Sequence, residues 1–310
     1  MTSDSYIEPP SRARRARPLL GTLVEIALAA PVAAQPAAFA AAFAAIERVQ
    51  RRMSFHDPAS DVARINAAAA GRVVEVDPQT VDVLRRAAWY GALSGGTFDV
   101  VVGDVLVAQA ALPRPEAAAA PDPEARQEDL DIVDATHVAW GRRRGWIDLG
   151  GIAKGFAVDR AVDALREQGI VEGCVNAGGD LRCFGGPAPI HVRHPERPGE
   201  RLALGDLEEA ALATSANVAG AGIAAPGGLV DPQRRAGARW PASVSVIADR
   251  CVDADALTKI VGLAPERALP VLDAVGAGVI LVRGDAVAML GRVRIAVRWN
   301  GRSLGLLSTA

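Results

Sequence analysis

Aromatic residues are scarce in this chain, 4% of 310 residues, which weakens two function classes at once. Base-stacking grooves and flat sugar-binding platforms both depend on aromatic faces. A surplus of one charge is also missing. The 34 Lys and Arg against 36 Asp and Glu leave a formal net charge of −2, which argues against a nucleic-acid binder. Cysteine is rare and odd in number, at Cys174, Cys183 and Cys251, with no C-x-x-C pair. That pattern indicates neither a disulfide framework nor a zinc cage, and the three are expected as small buried apolar side chains. No run of about 18 apolar residues escapes a charge or a proline, so no transmembrane segment is expected. The start is polar and then basic, at Arg12, Arg14, Arg15 and Arg17, without the apolar core of a secretory signal or a lipoprotein cysteine. Residues 1–17 are therefore expected as a disordered basic tail, and the chain as written is expected to be cytoplasmic.

Half of the residues are hydrophobic, enough for a sizeable core in one large domain or two ordinary ones. Leu19 to Leu28 reads as a first strand with Gly21-Thr22 inside it. Phe39, Phe43, Ile46 and Met53 share one face of a helix over 37–53. Ser60 caps a short helix running to Asn66, and Val81 to Leu93 is helical up to Gly95-Gly96. The Pro/Ala/acidic stretch between 110 and 131 reads as a surface excursion. Strands are expected at Val138–Trp140, Trp146–Leu149, Val175–Ala177, Leu181–Phe184 and Ser243–Ala248. Residues 216–239 read as loop, and Gly278 to Trp299 as closing antiparallel strands. Strands outnumber helices and the tail is antiparallel, which favours α+β over a doubly wound sheet.

The most informative stretch is Ile147-Asp148-Leu149-Gly150-Gly151-Ile152-Ala153-Lys154-Gly155, followed by Asp159. It reads as strand, glycine turn and helix start. Free N–H groups at a helix N-terminus beside a lysine suit phosphate or diphosphate. The spacing is neither that of a Walker loop nor that of a Rossmann turn. The same residues also fit an ordinary glycine turn with a surface lysine. A second glycine turn is Asn176-Ala177-Gly178-Gly179-Asp180. In Ala254-Asp255-Ala256-Leu257-Thr258-Lys259 a carboxylate is expected in the first turn of a helix, with a hydroxyl and an ammonium at i+3 and i+4. Such a set fits Mg²⁺, which keeps waters and takes phosphate oxygens, although a lone carboxylate there is also a common helix-terminal charge. His191 and His194 are poorly spaced for a metal pair, Ser215 lacks a nucleophile elbow, and Arg234-Arg235 reads as solvated loop.

In order, these motifs, together with Leu19-Leu20-Gly21-Thr22, Met53-Ser54, Ser60, Arg64-Ile65-Asn66, Gly96-Thr97-Phe98-Asp99, Thr214-Ser215 and Asp231-Pro232, resemble the ApbE family of flavin transferases over about residues 18–305. The resemblance implies one compact α+β domain, related to the T-fold, with mixed or antiparallel sheets and packed helices, over residues 18–308. It implies FAD as substrate, Mg²⁺ as cofactor, and transfer of FMN to a Ser or Thr of a flavin-accepting partner protein with release of AMP. The alternatives are FAD hydrolysis to FMN and AMP, or FAD binding without turnover.

For the site, the resemblance implies flavin or adenosine contacts from Leu20, His56, Thr97, Phe98 and Asp99. Lys154 and Asp159 would lie beside the diphosphate or ribityl chain, with Gly179 and Asp231 also on the cofactor. Ala153, through its carbonyl, Asp255 and Thr258 would hold the metal. Asp255, Lys154, Asp180 and His56 would carry the reaction. Several positions depart from the family pattern. Leu20 stands for Met and His56 for Tyr. Gly228 stands where a His is common, leaving His56 and Asp180 as candidate bases. Lys259 stands for a Thr, and Ala216 for a Gly. The family usually works outside the cytoplasm, so the periplasmic side of the inner membrane is the alternative location.

Overall fold

The computed structural model describes residues 11–115, 118–197, 199–216, 229–240, 242–284, 286–292, 298–299 and 302–303. The chain opens with a hairpin, β1 (Ser11–Leu19) and β2 (Thr22–Ala30), in register from Ser11↔Ala30 to Leu19↔Thr22. Residues 11–17 are thus strand rather than the expected disordered tail. Their arginines have partners: Arg15 and Arg17 lie over the rings of Phe39 and Phe43 at 4.8 and 4.4 Å, while Arg12 and Arg14 pair with Glu172 and Glu25 at 2.6 and 3.1 Å. A charged edge strand of this kind also discourages further pairing. Gly21 lies not inside a strand but in the turn with Leu20, both at positive φ (69° and 55°).

Helix α1 (Gln35–Met53) buries Phe39, Phe43, Ile46 and Met53 on one face, as their spacing predicts. Helix α2 (Asp61–Ala67) starts at Ser60, whose side chain accepts the Ala63 N–H at 3.0 Å. Next come β3 (Val73–Glu75), α3 (Pro78–Leu93) and α4 (Gly103–Ala108). The stretch expected as a surface excursion is mostly irregular, but its first residues, Ala111 and Leu112, wall the main cavity. Strands β4 (Leu130–Ile132) and β5 (His137–Trp140) form a small sheet in the order β3-β5-β4.

Trp146, Ile147 and Leu149 are buried but their segment joins no sheet, contrary to expectation. Its backbone is satisfied by a side chain instead. Asn66 donates to the Ile147 carbonyl at 3.0 Å and accepts the Ile147 N–H at 2.7 Å, doing for this segment what a neighbouring strand would do. Asp148 N–H is taken by the Val100 carbonyl at 2.8 Å.

The second half contains α5 (Ala153–Glu167), β6 (Glu172–Ala177), β7 (Asp180–Phe184), β8 (Ala188–Arg193), β9 (Arg201–Leu207) and β10 (Ala210–Ser215). It continues with β11 (Leu229–Asp231), β12 (Ala236–Ala238), β13 (Ser243–Ala248), α6 (Cys251–Leu263) and α7 (Pro265–Val275). It closes with β14 (Gly278–Arg283), β15 (Ala286–Gly291), β16 (Arg298–Trp299) and β17 (Arg302–Ser303). Within the span expected as loop, β11 and β12 form a short hairpin, whereas Gly228 lies outside the described residues.

One eight-stranded sheet, ordered β1-β2-β6-β7-β10-β13-β14-β15 and antiparallel throughout, organises the molecule, so the α+β expectation holds. Helices α1, α5 and α6 cover one face, where Val24, Ile26, Val175 and Val246 meet Ile46, Val158 and Leu257. The β8–β9 hairpin contributes Ile190, Val192, Leu202 and Leu204 to a second core on the other face. Strand β13 touches both cores and is buried along its whole length, hence its unbroken small and apolar run. Cys174 and Cys183 face each other across β6 and β7 and form a disulfide, which corrects the expectation of three free cysteines; Cys251 remains free and buried. Among the described residues, no helix is long and apolar enough to cross a membrane.

Candidate active site

A cavity of about 630 Å³ opens between the β1–β2 turn, the C-terminal end of α1, the loop after α3, the start of α5 and the start of β11. The motif residues shape its walls through local hydrogen bonds. Ser54 Oγ accepts the His56 and Asp57 N–H groups at 3.1 and 3.2 Å, and Ser60 Oγ donates to the Ser54 carbonyl at 2.6 Å. This holds His56 at the mouth, exposed. Leu20 N–H donates to Gln50 Oε1 at 2.6 Å, which fixes the left-handed turn that puts Leu20 on the wall.

The loop after α3 turns through Gly95 and Gly96, both at positive φ (59° and 77°). Thr97 Oγ1 donates to the Ser94 carbonyl at 2.9 Å, and Ser94 Oγ accepts the Phe98 N–H at 3.0 Å. Phe98 is backed edge-on by Tyr90 at 6.0 Å. The Asp99 carboxylate accepts the Val101 N–H at 2.7 Å and the Gln127 N–H at 3.3 Å. Burial pushes its carboxyl above the ordinary range, only partly offset by those N–H donors. Asp231 closes an Asx turn by accepting the Gln233 and Arg234 N–H groups, each at 3.0 Å, and Gln233 reaches across to the Gly95 carbonyl at 2.7 Å.

A cluster of alternating charges forms the inner wall. Lys154, in the first turn of α5, pairs with the buried Asp180. Lys259, one turn beyond Asp255 on α6, pairs with the Asp255 carboxylate and also donates to its carbonyl at 3.1 Å. Asp255 is fully buried, and its other oxygen accepts the Gly155 N–H at 3.0 Å. Burial pushes the Asp255 carboxyl up, but Lys259, Lys154 and the Gly155 N–H outweigh it and hold it below the ordinary value. For Asp180, burial and the neighbouring Asp255 charge win over both lysines and raise it. Lys154 loses some basicity to burial but gains more from Asp180 and Asp255, so its ammonium is held well above the ordinary range.

Asp148 also lines the cavity and accepts the Gly150 N–H at 3.1 Å. Burial raises its carboxyl despite Gly150, His56 and Lys259. The resemblance assigns it no role, yet of the two carboxylates that line the cavity, Asp99 and Asp148, it has fewer hydrogen-bond donors on it. Its signal was its place one residue removed from the glycine turn, ahead of Leu149.

The ApbE family profile matches residues 20–280. The chain belongs to the ApbE family. It is 30% identical over 188 residues to the FAD:protein FMN transferase of Treponema pallidum, a match covering 55% of this chain and 51% of that relative. The chain spans about half the length of the curated relatives it matches. The structure resembles the flavin transferase ApbE from Vibrio cholerae, with a TM-score of 0.76 and 23% identity over 91% of this chain and 97% of that one. It likewise resembles the ApbE protein of Thermotoga maritima, with a TM-score of 0.74 and 25% identity over the same shares.

Within this ApbE fold, the residues expected at the site separate into two groups. Leu20, His56, Thr97, Phe98, Asp99, Ala153 and Lys154 line the cavity together, joined by Lys259 and Asp148. Asp159, Gly179, Asp180, Asp231, Asp255 and Thr258 are not among the residues that line it. Asp159 is fully buried and accepts the first N–H groups of α6, from Cys251 and Val252, each at 3.0 Å, while pairing with Arg182 at 2.9 Å. It is the cap of α6 rather than a diphosphate contact. Gly179 gives its N–H to Asn176 Oδ1 at 2.9 Å inside the β6–β7 turn. Gly178, one residue earlier, packs its backbone on Thr22, so the two motifs meet there.

Helix α6 begins at Cys251, so Asp255 is not in its first turn. The expected anion seat at the start of α5 is partly filled from within. Ala153 N–H goes to the Leu149 carbonyl at 2.8 Å, Phe156 N–H to the Ile152 carbonyl at 3.1 Å, and Gly155 N–H to Asp255. Among the remaining readings, His194 is buried and accepts the Glu196 and Arg197 N–H groups at 3.1 and 3.0 Å, as a turn cap. Arg235 is not solvated but pairs with Asp104 and donates to the Val101 carbonyl at 2.7 Å.

The residues implied for Mg²⁺ do not fit a divalent ion as they are arranged. Both Asp255 oxygens are taken, one of them by an ammonium. Thr258 Oγ1 is fully buried, donates to the Asp255 carbonyl at 2.7 Å and sits 3.1 Å from Ser215 Oγ. Among the described residues, no group of three or more His, Cys, Asp or Glu side chains could hold a metal ion.

Proposed function

We propose that this chain transfers the FMN moiety of FAD to a Ser or Thr hydroxyl of a partner protein and releases AMP. The observation that carries the reading is one cavity with apolar walls at Leu20, Met53 and Phe98 and two lysines, Lys154 and Lys259, at its inner end. Its volume is within the ~300–1,000 Å³ usual for cofactor sites. The names of the matched relatives add support. Leu20 and Phe98 cover the flavin rings, and the lysines face the diphosphate.

The acceptor oxygen bonds to the phosphorus of the FMN half. The bond from that phosphorus to the bridging oxygen breaks, and AMP leaves with the electron pair. The hydroxyl proton passes to a cavity group, Asp148 or His56, because Asp180 is committed to Lys154. Positioning and charge neutralisation supply most of the rate.

The experiment is incubation of the chain with FAD and a Ser/Thr-containing acceptor domain, read by acceptor mass and AMP. A gain equal to the FMN moiety with matching AMP is expected. AMP without a modified acceptor replaces the reading with hydrolysis. FAD bound with no AMP replaces it with a flavin-holding protein, a second reading favoured by the Lys259–Asp255 ion pair.

For the compartment, the Cys174–Cys183 disulfide supports the oxidising alternative over the cytoplasm. Thiol titration of the unfolded, unreduced chain purified from its native host is expected to find Cys251 alone; three free thiols would return it to the cytoplasm.

A further inference from the structure

The inner wall of the cavity already contains a cation where a metal was expected. The Lys259 ammonium lies on the Asp255 carboxylate and within 3.1 Å of its carbonyl oxygen, a carboxylate-plus-carbonyl environment of the kind a hard divalent ion takes. The other Asp255 oxygen is closed by the Gly155 N–H. The neighbouring hydroxyl of Thr258 points back to its own helix and to Ser215. Lys259 nevertheless remains open to the cavity, since it lines it and its side chain is 17% exposed.

We propose that Lys259 is the resident cation of this site, so that the chain binds the FAD diphosphate with Lys259 and Lys154 and without a divalent ion on Asp255. The proposal rests on the FAD reading above for its ligand, but not for its cation. Two ammoniums balance Asp180 and Asp255 without a metal, and the third carboxylate near Lys259, Asp148, accepts the Gly150 N–H instead. A divalent ion at Asp255 would have to displace an ammonium from a buried carboxylate, and like-charge repulsion opposes its approach. An ammonium is a point charge with three donors, so Lys259 can keep Asp255 and still offer a donor to a phosphate oxygen.

The test uses the full chain and two probes. Mn²⁺ alone, without flavin, is titrated by its paramagnetic resonance signal against the unaltered chain and Lys259→Thr. The variant is expected to bind Mn²⁺ about ten-fold or more tightly than the unaltered chain, a difference of about 1.4 kcal/mol. FAD affinity is then measured by flavin fluorescence in EDTA and in Mg²⁺. The unaltered chain is expected to bind FAD equally in both. Lys259→Thr is expected to lose about ten-fold in EDTA and recover with Mg²⁺. Equal Mn²⁺ binding by the two proteins overturns the proposal. So does a fall in FAD affinity of the unaltered chain in EDTA, a measurement that needs no variant and stands if Lys259→Thr does not fold. If neither protein binds FAD in either buffer, the functional reading fails, and the Mn²⁺ titration still decides the role of Lys259.

Discussion

Replacing Asp255 with Ala is expected to cost about 3–5 kcal/mol of stability and to abolish flavin chemistry together, because one carboxylate supports both. It is fully buried and joins α6 to α5 through the Gly155 N–H, and it holds Lys259 on the cavity wall. Truncation leaves an N–H and an ammonium without their partner in a water-poor place, the costly way to break a buried pair. Asp255→Asn keeps an acceptor for Gly155 but removes the charge, so it is expected to recover part of the stability and little of the FAD affinity.

The pH dependence has a definite sign. The Asp255 carboxyl is held below its ordinary 3.8 in the folded chain. A depressed carboxyl contributes fully above the unfolded value, and the contribution is lost as pH falls through the lower folded value. The difference in urea midpoint between the unaltered chain and Asp255→Asn should therefore be full at pH 7 and begin to narrow only as pH falls below 3.8. An Asp255→Ala chain that unfolds at the unaltered midpoint would remove the ion cluster from the account of stability.

Much of the fold was legible because apolar periodicity is local. The face of α1, the Ser60 cap and β13 follow from spacing that tertiary context did not override. Strand β1 was hidden because its arginines, which sequence patterns score as solvated, lay their guanidinium groups over the Phe39 and Phe43 rings. Trp146–Leu149 looked like a strand because it is extended and buried, but its partner is the side chain of Asn66, 81 residues away.

The site divided in the same way. Leu20, His56, Thr97, Phe98 and Asp99, which line the cavity, lie in short loops whose turns the sequence marks with Gly, Ser and Thr. Asp159 and Asp255 resemble ligand carboxylates in sequence, since a buried helix cap and a metal ligand demand the same side chain. Only the direction in which each carboxylate points separates the two roles, and spacing carries no direction. Lys259 was visible at i+4 from Asp255, but whether it repels a metal or replaces it depends on the contact that the fold makes.

Gly155→Ala should also be destabilising, though less than the loss of Asp255, and for a steric reason. A Cβ built there overlaps the Cys251 carbonyl oxygen, stands 2.6 Å from the carbonyl carbon and 2.8 Å from Asp255 Cβ. The obstacle is mainly backbone, so no rotamer change relieves it, and α5 must move away from α6. That movement stretches the Gly155–Asp255 bond and the two bonds by which Asp159 caps α6. Alanine is otherwise the better helix former by about 1 kcal/mol. The clash reverses that sign, with an expected net loss of about 1–3 kcal/mol or more.

Gly151→Ala is the control. Its added Cβ would be 3.7 Å from Lys259 Cε and from the Phe98 ring, an ordinary contact, so its urea midpoint should stay close to the unaltered one. If both variants unfold together at the unaltered midpoint, the close approach of α5 to α6 is not what Gly155 provides. The start of α5 would then have room to open its N–H groups to a bound phosphate, as the glycine turn first suggests.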